Sequence, residues 1–248
     1  MNLRYTLRAR KFRTKWDPAE IDWIMDNVNT DEVCFDIGTH KGGWTYWMRK
    51  AVGSAGAIFA FEPQPALHRY LTKLFAPNYW SNVTLENIAF SNKEGSFEMF
   101  VPGEAGSTSP GASLKQEVAV HEADTMTTTT VTTTTLDQYV AKHSLDSIAF
   151  IKLDVEGSEV DVIEGATTTL RELKPSWVIE SEARHIGEDG VRELFSKMEE
   201  ANYSGFFFST DGLTPLSEFD FSRHQSQEGE RFWDKASYYN NFLFTPGN

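Results

Sequence analysis

The residues best suited to chemistry fall in three short clusters. The first is Asp36-Ile37-Gly38-Thr39-His40-Lys41-Gly42, which follows the apolar run Val33-Cys34-Phe35 and precedes a stretch bearing Trp44, Tyr46, Trp47 and Met48. A strand that hands over to a helix through glycines lets the backbone turn sharply and approach a ligand. The free amides at the helix start then offer partial positive charge to a carboxylate or phosphate. This favours a nucleotide-like cofactor. The spacing reads D-x-G-x-x-x-G instead of the dinucleotide fingerprint G-x-G-x-x-G, so a pyrophosphate matches less well than a nucleoside carrying an amino acid. Alone, so short a pattern is equally compatible with a structural glycine turn.

The second cluster is Glu62, twenty-six residues beyond Asp36, where the run Ala57-Ile58-Phe59-Ala60-Phe61 ends. An acceptor-only carboxylate at a strand tip can take hydrogen bonds from both hydroxyls of a ribose. The pair Asp36 and Glu62 is more specific than either residue alone. The third cluster is Ile151-Lys152-Leu153-Asp154-Val155-Glu156-Gly157-Ser158-Glu159. In open α/β sheets ligands sit beyond the carboxyl ends of the strands, where Asp154 and Glu156 should fall. There they could orient or deprotonate an acceptor hydroxyl, or hold a divalent cation. Glu159 is better read as complementing the start of the next helix. Lys152 could steer these carboxylates, polarise the acceptor, or simply pair with Asp154.

Holding these clusters in place takes alternating strands and helices. Asp17-Pro18-Ala19-Glu20 reads as an N-cap followed by proline at the first helical position, in a helix running to about Val28. Strands are expected at 32–37, 57–61, 83–89, 148–154, 177–180, 203–208 and 241–244. Helices are expected after Gly42 and at 65–75, 158–173 and 190–201. Such alternation implies parallel pairing by right-handed crossovers, hence a doubly wound sheet. Residues 91–147 break the rhythm. Residues 95–101 suggest an outer strand, and residues 102–113, rich in Gly, Ser and Pro, a mobile loop able to close over a site. The threonine run 127–135 suggests an edge or insert strand, since threonine is β-branched.

With 248 residues and 40% hydrophobic content, the chain suits one α/β domain with elaborations. The expected division is a basic arm and helix at 1–30 and a main domain at 31–248, with an insertion at about 91–147. A formal net charge of −13 argues against a nucleic-acid binder, because phosphate affinity comes from clustered Lys and Arg. The first fifteen residues nevertheless carry six cations and no acid, leaving −19 on the rest. A solvated, poorly ordered terminus is the plain reading; contact with an anionic partner or membrane surface is the other. No apolar stretch follows it as in a secretory signal. None anywhere approaches the roughly 20 apolar residues of a membrane span, so a cytoplasmic protein without a membrane partner is expected. The lone Cys34 reads as a small buried thiol.

Jointly, the motifs resemble the FkbM family of S-adenosylmethionine-dependent methyltransferases. The resemblance rests on Phe35-Asp36-Ile37-Gly38-Thr39-His40-Lys41-Gly42, Phe61-Glu62-Pro63-Gln64-Pro65, Asn87-Ile88-Ala89-Phe90-Ser91, Leu136-Asp137 and, above all, the third cluster. It spans about 33–244 in the right order. It implies an α/β, Rossmann-like class I methyltransferase fold with a seven-stranded, mostly parallel sheet, an antiparallel last strand, and S-adenosylmethionine as cofactor. It also implies O-methylation of a sugar, polyketide or other natural product, hence a small-molecule or glycan acceptor. Carried over, Asp36, Gly38, Thr39, His40 and Gly42 would surround the methionine part of the cofactor, Glu62 its ribose, and Ile88 and Ala89 its adenine. Lys152, Asp154 and Glu156 would lie at the reaction centre.

Two departures bear on the acceptor. Thr39-His40 stands where the family usually has Ala-Asn, and Val178-Ile179-Glu180-Ser181-Glu182, with His185 nearby, replaces a shorter acidic ending. Alcohols are poor nucleophiles while protonated, so a carboxylate must take the proton. Asp154 is the first candidate, with Glu156, Glu180 and His185 behind it, and no metal ligands are assigned. Two other classes share the sheet: an NAD-dependent oxidoreductase, disfavoured by the missing fingerprint, and a non-catalytic interaction domain.

Overall fold

Strand residues alternate between the two faces of a sheet, and here each face meets its own apolar layer. The computed structural model describes residues 3–76, 80–119 and 124–247. Phe35, Ile37, Phe61, Ile151, Leu153, Trp177, Ile179, Phe242 and Phe244 pack on one side, and Cys34, Ile58, Phe150, Val178 and Leu243 on the other. The buried Cys34 matches its plain reading.

The strands are β1 (Val33–Ile37), β2 (Ala57–Phe61), β3 (Val83–Glu86), β4 (Ala89–Phe90), β5 (Gly95–Pro102) and β6 (Met126–Thr134). They continue with β7 (Phe150–Leu153), β8 (Ser176–Glu180), β9 (Tyr203–Ser209), β10 (Gly212–Pro215) and β11 (Asn241–Pro246). The main sheet runs β10-β9-β11-β8-β7-β1-β2-β3. β1, β2, β3, β7 and β8 pair in parallel, while β11 enters antiparallel between β8 and β9. The sheet therefore has eight strands, one more than expected. The extra strand is β10, which hairpins back on β9. The crossovers diverge to either side of the β1–β7 boundary, the position where doubly wound sheets open a crevice.

The insertion forms a second sheet, ordered β4-β6-β5. The threonine-rich strand is its centre, not an edge, pairing with β5 from Gly95↔Thr133 to Pro102↔Met126 and with β4 on its other side. The strand expected at 83–89 is two strands in different sheets. Asn87 Nδ2 donates to the carbonyls of Glu62 and Pro63 at 2.8 and 2.9 Å, and the chain leaves the main sheet there. The helix expected at 158–173 likewise divides into Glu159–Glu164 and a wider turn at Thr169–Leu173. Asp137 causes the break by accepting the amides of Thr168 and Thr169, each at 2.8 Å. The helix expected from 190 begins at Ala183 and kinks at Gly187, whose φ is 71°.

The basic arm is not a loose terminus. Helix α1 (Leu3–Lys11) buries Tyr5 and Ala9 against Tyr46, Leu71, Phe75 and Trp80, and Trp47 Nε1 donates to the Ala9 carbonyl at 2.7 Å. It leads into α2 (Pro18–Asn27), which ends next to Val28 as expected. Asp17 does not cap α2 with its side chain; its Oδ2 accepts from Trp44 Nε1 at 2.8 Å. Helix α3 (Gly43–Val52) follows the glycine loop, and α4 (Pro65–Leu74) follows Glu62. Among the described residues no helix is long and apolar enough to cross a membrane.

Glu20, in α2, is buried, and that burial, with Asp17 nearby, pushes its pKa up to about 8. A carboxyl whose folded pKa lies above its unfolded value binds an extra proton in the native state, so its contribution worsens as pH rises between the two. Glu20→Gln is therefore expected to stabilise the protein by roughly 1 to 3 kcal/mol near pH 8 and to change little near pH 5. Urea melts at both pH values test this; equal effects at the two would show Glu20 to be well solvated.

Candidate active site

The crevice opens where the carboxyl ends of β1, β2 and β7 converge. Gly38 N and Thr39 N both donate to the Phe61 carbonyl, at 3.1 and 3.0 Å, and Asp154 N donates to the Ile37 carbonyl at 3.0 Å. This lacing brings Gly38 so close to the third cluster that a Cβ there would lie 1.7 Å from the Asp154 carbonyl oxygen, at a φ of +83°. Only glycine meets both conditions.

The resulting cleft is partly open to solvent. Among the expected residues, Gly38, His40, Glu62, Ile88, Ala89, Asp154 and Glu156 line it. Glu62 is buried, with Oε2 accepting from His40 N and Oε1 from Gln64 N, each at 2.8 Å. Burial dominates these bonds and raises its pKa to about 8. Each carboxylate oxygen keeps a further lone pair for a ligand hydroxyl. Phe61, Phe90 and Met99 supply apolar walls beside Ile88 and Ala89.

Asp36, Thr39 and Gly42 do not line the cleft. Thr39 Oγ1 donates to the Asp36 carbonyl at 2.8 Å, and Gly42, with φ +79°, accepts from Tyr5 OH at 2.7 Å. They shape the loop from behind. The Asp36 side chain points the other way, as strand alternation requires: it accepts from Thr45 Oγ1 and lies in register with Lys152 on β7. Two residues beyond Val178, the strand partner of Lys152, Glu180 takes the same face of β8. The result is a line of Asp36, Lys152 and Glu180, the first two buried against α3 and Glu180 half-buried. Burial alone would lower the Lys152 pKa, but Asp154, Glu180 and Asp36 together hold it above the ordinary lysine value. Burial raises the carboxyls of Asp36 and Glu180, with Lys152 opposing.

Lys152 Nζ also reaches Asp154 Oδ2 at 2.5 Å, joining this line to the cleft. Asp154 thus has the lysine partner that the sequence left open. Glu156 sits beside it in the left-handed region at φ 50°. Its carboxyl is pushed upward by burial first and by Asp154 next. His185 approaches Glu156 with Nδ1 3.5 Å from Oε2, outside the cleft lining. Glu180 Oε1 accepts from Asn240 Nδ2 at 2.9 Å. Glu159 does what its plain reading says, accepting the Gly157 amide at 3.0 Å. Among the described residues no group of three or more His, Cys, Asp or Glu side chains is arranged to hold a metal.

The loop at 102–113 lies over this cleft. His40 Nε2 contacts the Thr108 carbonyl at 3.3 Å, Gln64 Nε2 donates to Ser109 at 3.1 Å, and the fully buried Ser113 donates through Oγ to the Glu156 carbonyl at 2.6 Å. Burial holds His40 near pKa 4, hence neutral and able to carry its proton on Nε2. Gln64 and Ser113 were not singled out from the sequence. Gln64 lies in the segment after Glu62, which is the available signal; Ser113 sits in a composition-biased loop that offers none.

A doubly wound sheet with an antiparallel strand inserted near one edge, and a cleft at its switch point, is the class I methyltransferase fold. The family model of the methyltransferase FkbM domain matches residues 36–204, and the chain belongs to that family. The chain is 23% identical over 173 residues to the hexuronic acid methyltransferase AglP of Haloferax volcanii. That match covers 67% of this chain and 62% of the relative. An FkbM methyltransferase structure from Methylobacillus flagellatus matches with TM-score 0.53 and 15% identity over 96% of this chain, which spans 52% of that one. The O-methyltransferase TomG from Streptomyces achromogenes, solved with S-adenosylmethionine, matches with TM-score 0.52 and 10% identity, covering 100% of this chain and 91% of that one. At these identities the structural likenesses establish the fold.

Proposed function

We propose that the chain methylates a hydroxyl oxygen of a glycan or similar polyol, with Asp154 as proton acceptor. The carrying observation is the cleft that places Gly38, Glu62 and Asp154 on one wall system at the sheet's switch point. Its residues suit the cofactor. Gly38 keeps the floor free of side-chain atoms, Glu62 is a buried acceptor with lone pairs to spare for ribose hydroxyls, and Ile88, Ala89, Phe90 and Met99 offer an apolar slot for a base. When bound, S-adenosylmethionine supplies an electrophilic methyl group on a sulfonium sulfur.

The chain's own contribution is proton handling and exclusion of water. Lys152 stays protonated and anchors Asp154 through Oδ2, which fixes the carboxylate in direction. The acceptor hydroxyl would pass its proton to Asp154 as its oxygen displaces the sulfur from the methyl carbon. The loop at 102–113, tied down at Thr108, Ser109 and Ser113, keeps bulk water from that exchange. A sugar acceptor is supported by the Haloferax volcanii relative, whose name states a hexuronic acid substrate. The NAD-dependent reading is not favoured.

Glu62→Ala is expected to weaken cofactor binding by about 1 to 3 kcal/mol, the scale of two hydrogen bonds lost from a buried site. Calorimetry with S-adenosylhomocysteine measures it, followed by methyl-transfer assays on hydroxylated acceptors. Tight NAD binding by the wild type with no S-adenosylhomocysteine binding would overturn the reading.

A further inference from the structure

A second concavity lies on the outer side of the glycine loop, between that loop and the N-terminal helix. Arg4, Arg8, Lys11 and Lys41 line it, together with the aromatic rings of Phe12 and Trp16. Among the described residues Arg8, Lys11 and Lys41 have no carboxylate at ion-pair distance, although the chain as a whole carries −13. The neighbours they do have are neutral or of like charge. Arg8 Nη1 donates to Tyr70 OH at 3.1 Å, and Lys11 Nζ lies 5.9 Å from the Trp16 ring centre. Burial and then Arg8 pull the Lys41 pKa down, a condition that an anion in the groove would relieve.

The two rings meet edge to face at 4.9 Å, and Trp16 remains 47% exposed, so a flat apolar surface stands beside the cations. His40 lines both this groove and the cofactor cleft. A ligand seated here therefore abuts the reaction site. We propose that the groove binds the anionic part of the acceptor, a carboxylate or phosphate borne on a sugar, with the cations taking the charge and the rings the sugar face. This rests on the glycan reading above and adds the charge of the substrate and where it is held.

The test uses the full chain and three probes: methyl glucuronide, glucose 1-phosphate and the neutral methyl glucoside, each titrated by NMR at low and high salt. The two anionic sugars are expected to bind about tenfold or more tightly than the glucoside, with the advantage shrinking in salt. Their relative strengths tell carboxylate from phosphate. Lys11→Glu, at an exposed position whose folding a thermal melt checks, is expected to erase most of the advantage, and Arg8→Gln to reduce it. Equal binding of all three sugars, an unchanged advantage in Lys11→Glu, or no sugar binding at all would overturn the proposal. So would binding to phosphatidylserine vesicles without sugar binding, which would assign the exposed Leu3 and Leu7 and their cations to a membrane surface. S-adenosylhomocysteine affinity, measured in the same wild-type samples, fails only if the underlying cofactor-site reading fails.

Discussion

Asp154→Asn protein is expected to fold, to bind S-adenosylhomocysteine within about threefold of wild type, and to turn over roughly 10²- to 10⁴-fold more slowly. The exchange keeps the side chain's shape and removes the proton acceptor. Lys152 retains Asp36 and Glu180 as charge partners, so the lost ion pair does not leave it isolated, which is the circumstance that makes broken buried pairs so costly. Stability and catalysis should then separate. The rival reading, in which Asp154 serves only to neutralise Lys152, predicts a lower melting temperature and weaker cofactor binding, with turnover reduced no more than binding explains. Single-turnover methyl transfer beside thermal melts distinguishes the two. Near-normal turnover in a stable variant would move the base assignment to Glu156, which shares the cleft, or to the His185 beside it.

Gly38→Ala is the most damaging small substitution the fold offers. The methyl group would arrive 1.7 Å from a backbone oxygen of Asp154, and neither side can yield, because Gly38 N is bonded to Phe61 and Asp154 N to Ile37. A left-handed φ adds about 1 to 2 kcal/mol for any residue with a Cβ. The expected loss is about 4 kcal/mol or more of stability, or a displaced loop that no longer binds cofactor. Denaturant melts and calorimetry read both. A stable Gly38→Ala protein with wild-type affinity would mean that the ends of β1 and β7 stand further apart than described.

Much of the sheet was legible because buried parallel strands are short apolar runs: Ala57–Phe61 appears where expected, residue for residue. What failed were boundaries set by side chains distant in sequence. Asn87 ends β3 by bonding carbonyls after β2, and Asp137 breaks the helix pattern from thirty residues away. Apolar spacing continues through both points, so it carries no warning. At the site, the three clusters do converge, but the role given to Asp36 overlooked a constraint present in the sequence. In Phe35-Asp36-Ile37 the flanking residues face one layer, so Asp36 must face the other, with Lys152 and Glu180. Their joint position follows from alternation once the strands are in register, and register is what single-strand reading lacks.

The arm's packing changes what a shortened version of this protein would be. Tyr5 bonds the Gly42 carbonyl, and the Phe12 ring occupies the space in front of Gly43, where a Cβ would come within 2.0 Å of it. Deleting the first sixteen residues to improve solubility would therefore strip one wall from the glycine loop and lay bare Phe75 and Trp80. An affinity handle fused at the amino end would hang beside the same loop, so kinetic work is better served by a carboxyl-terminal one.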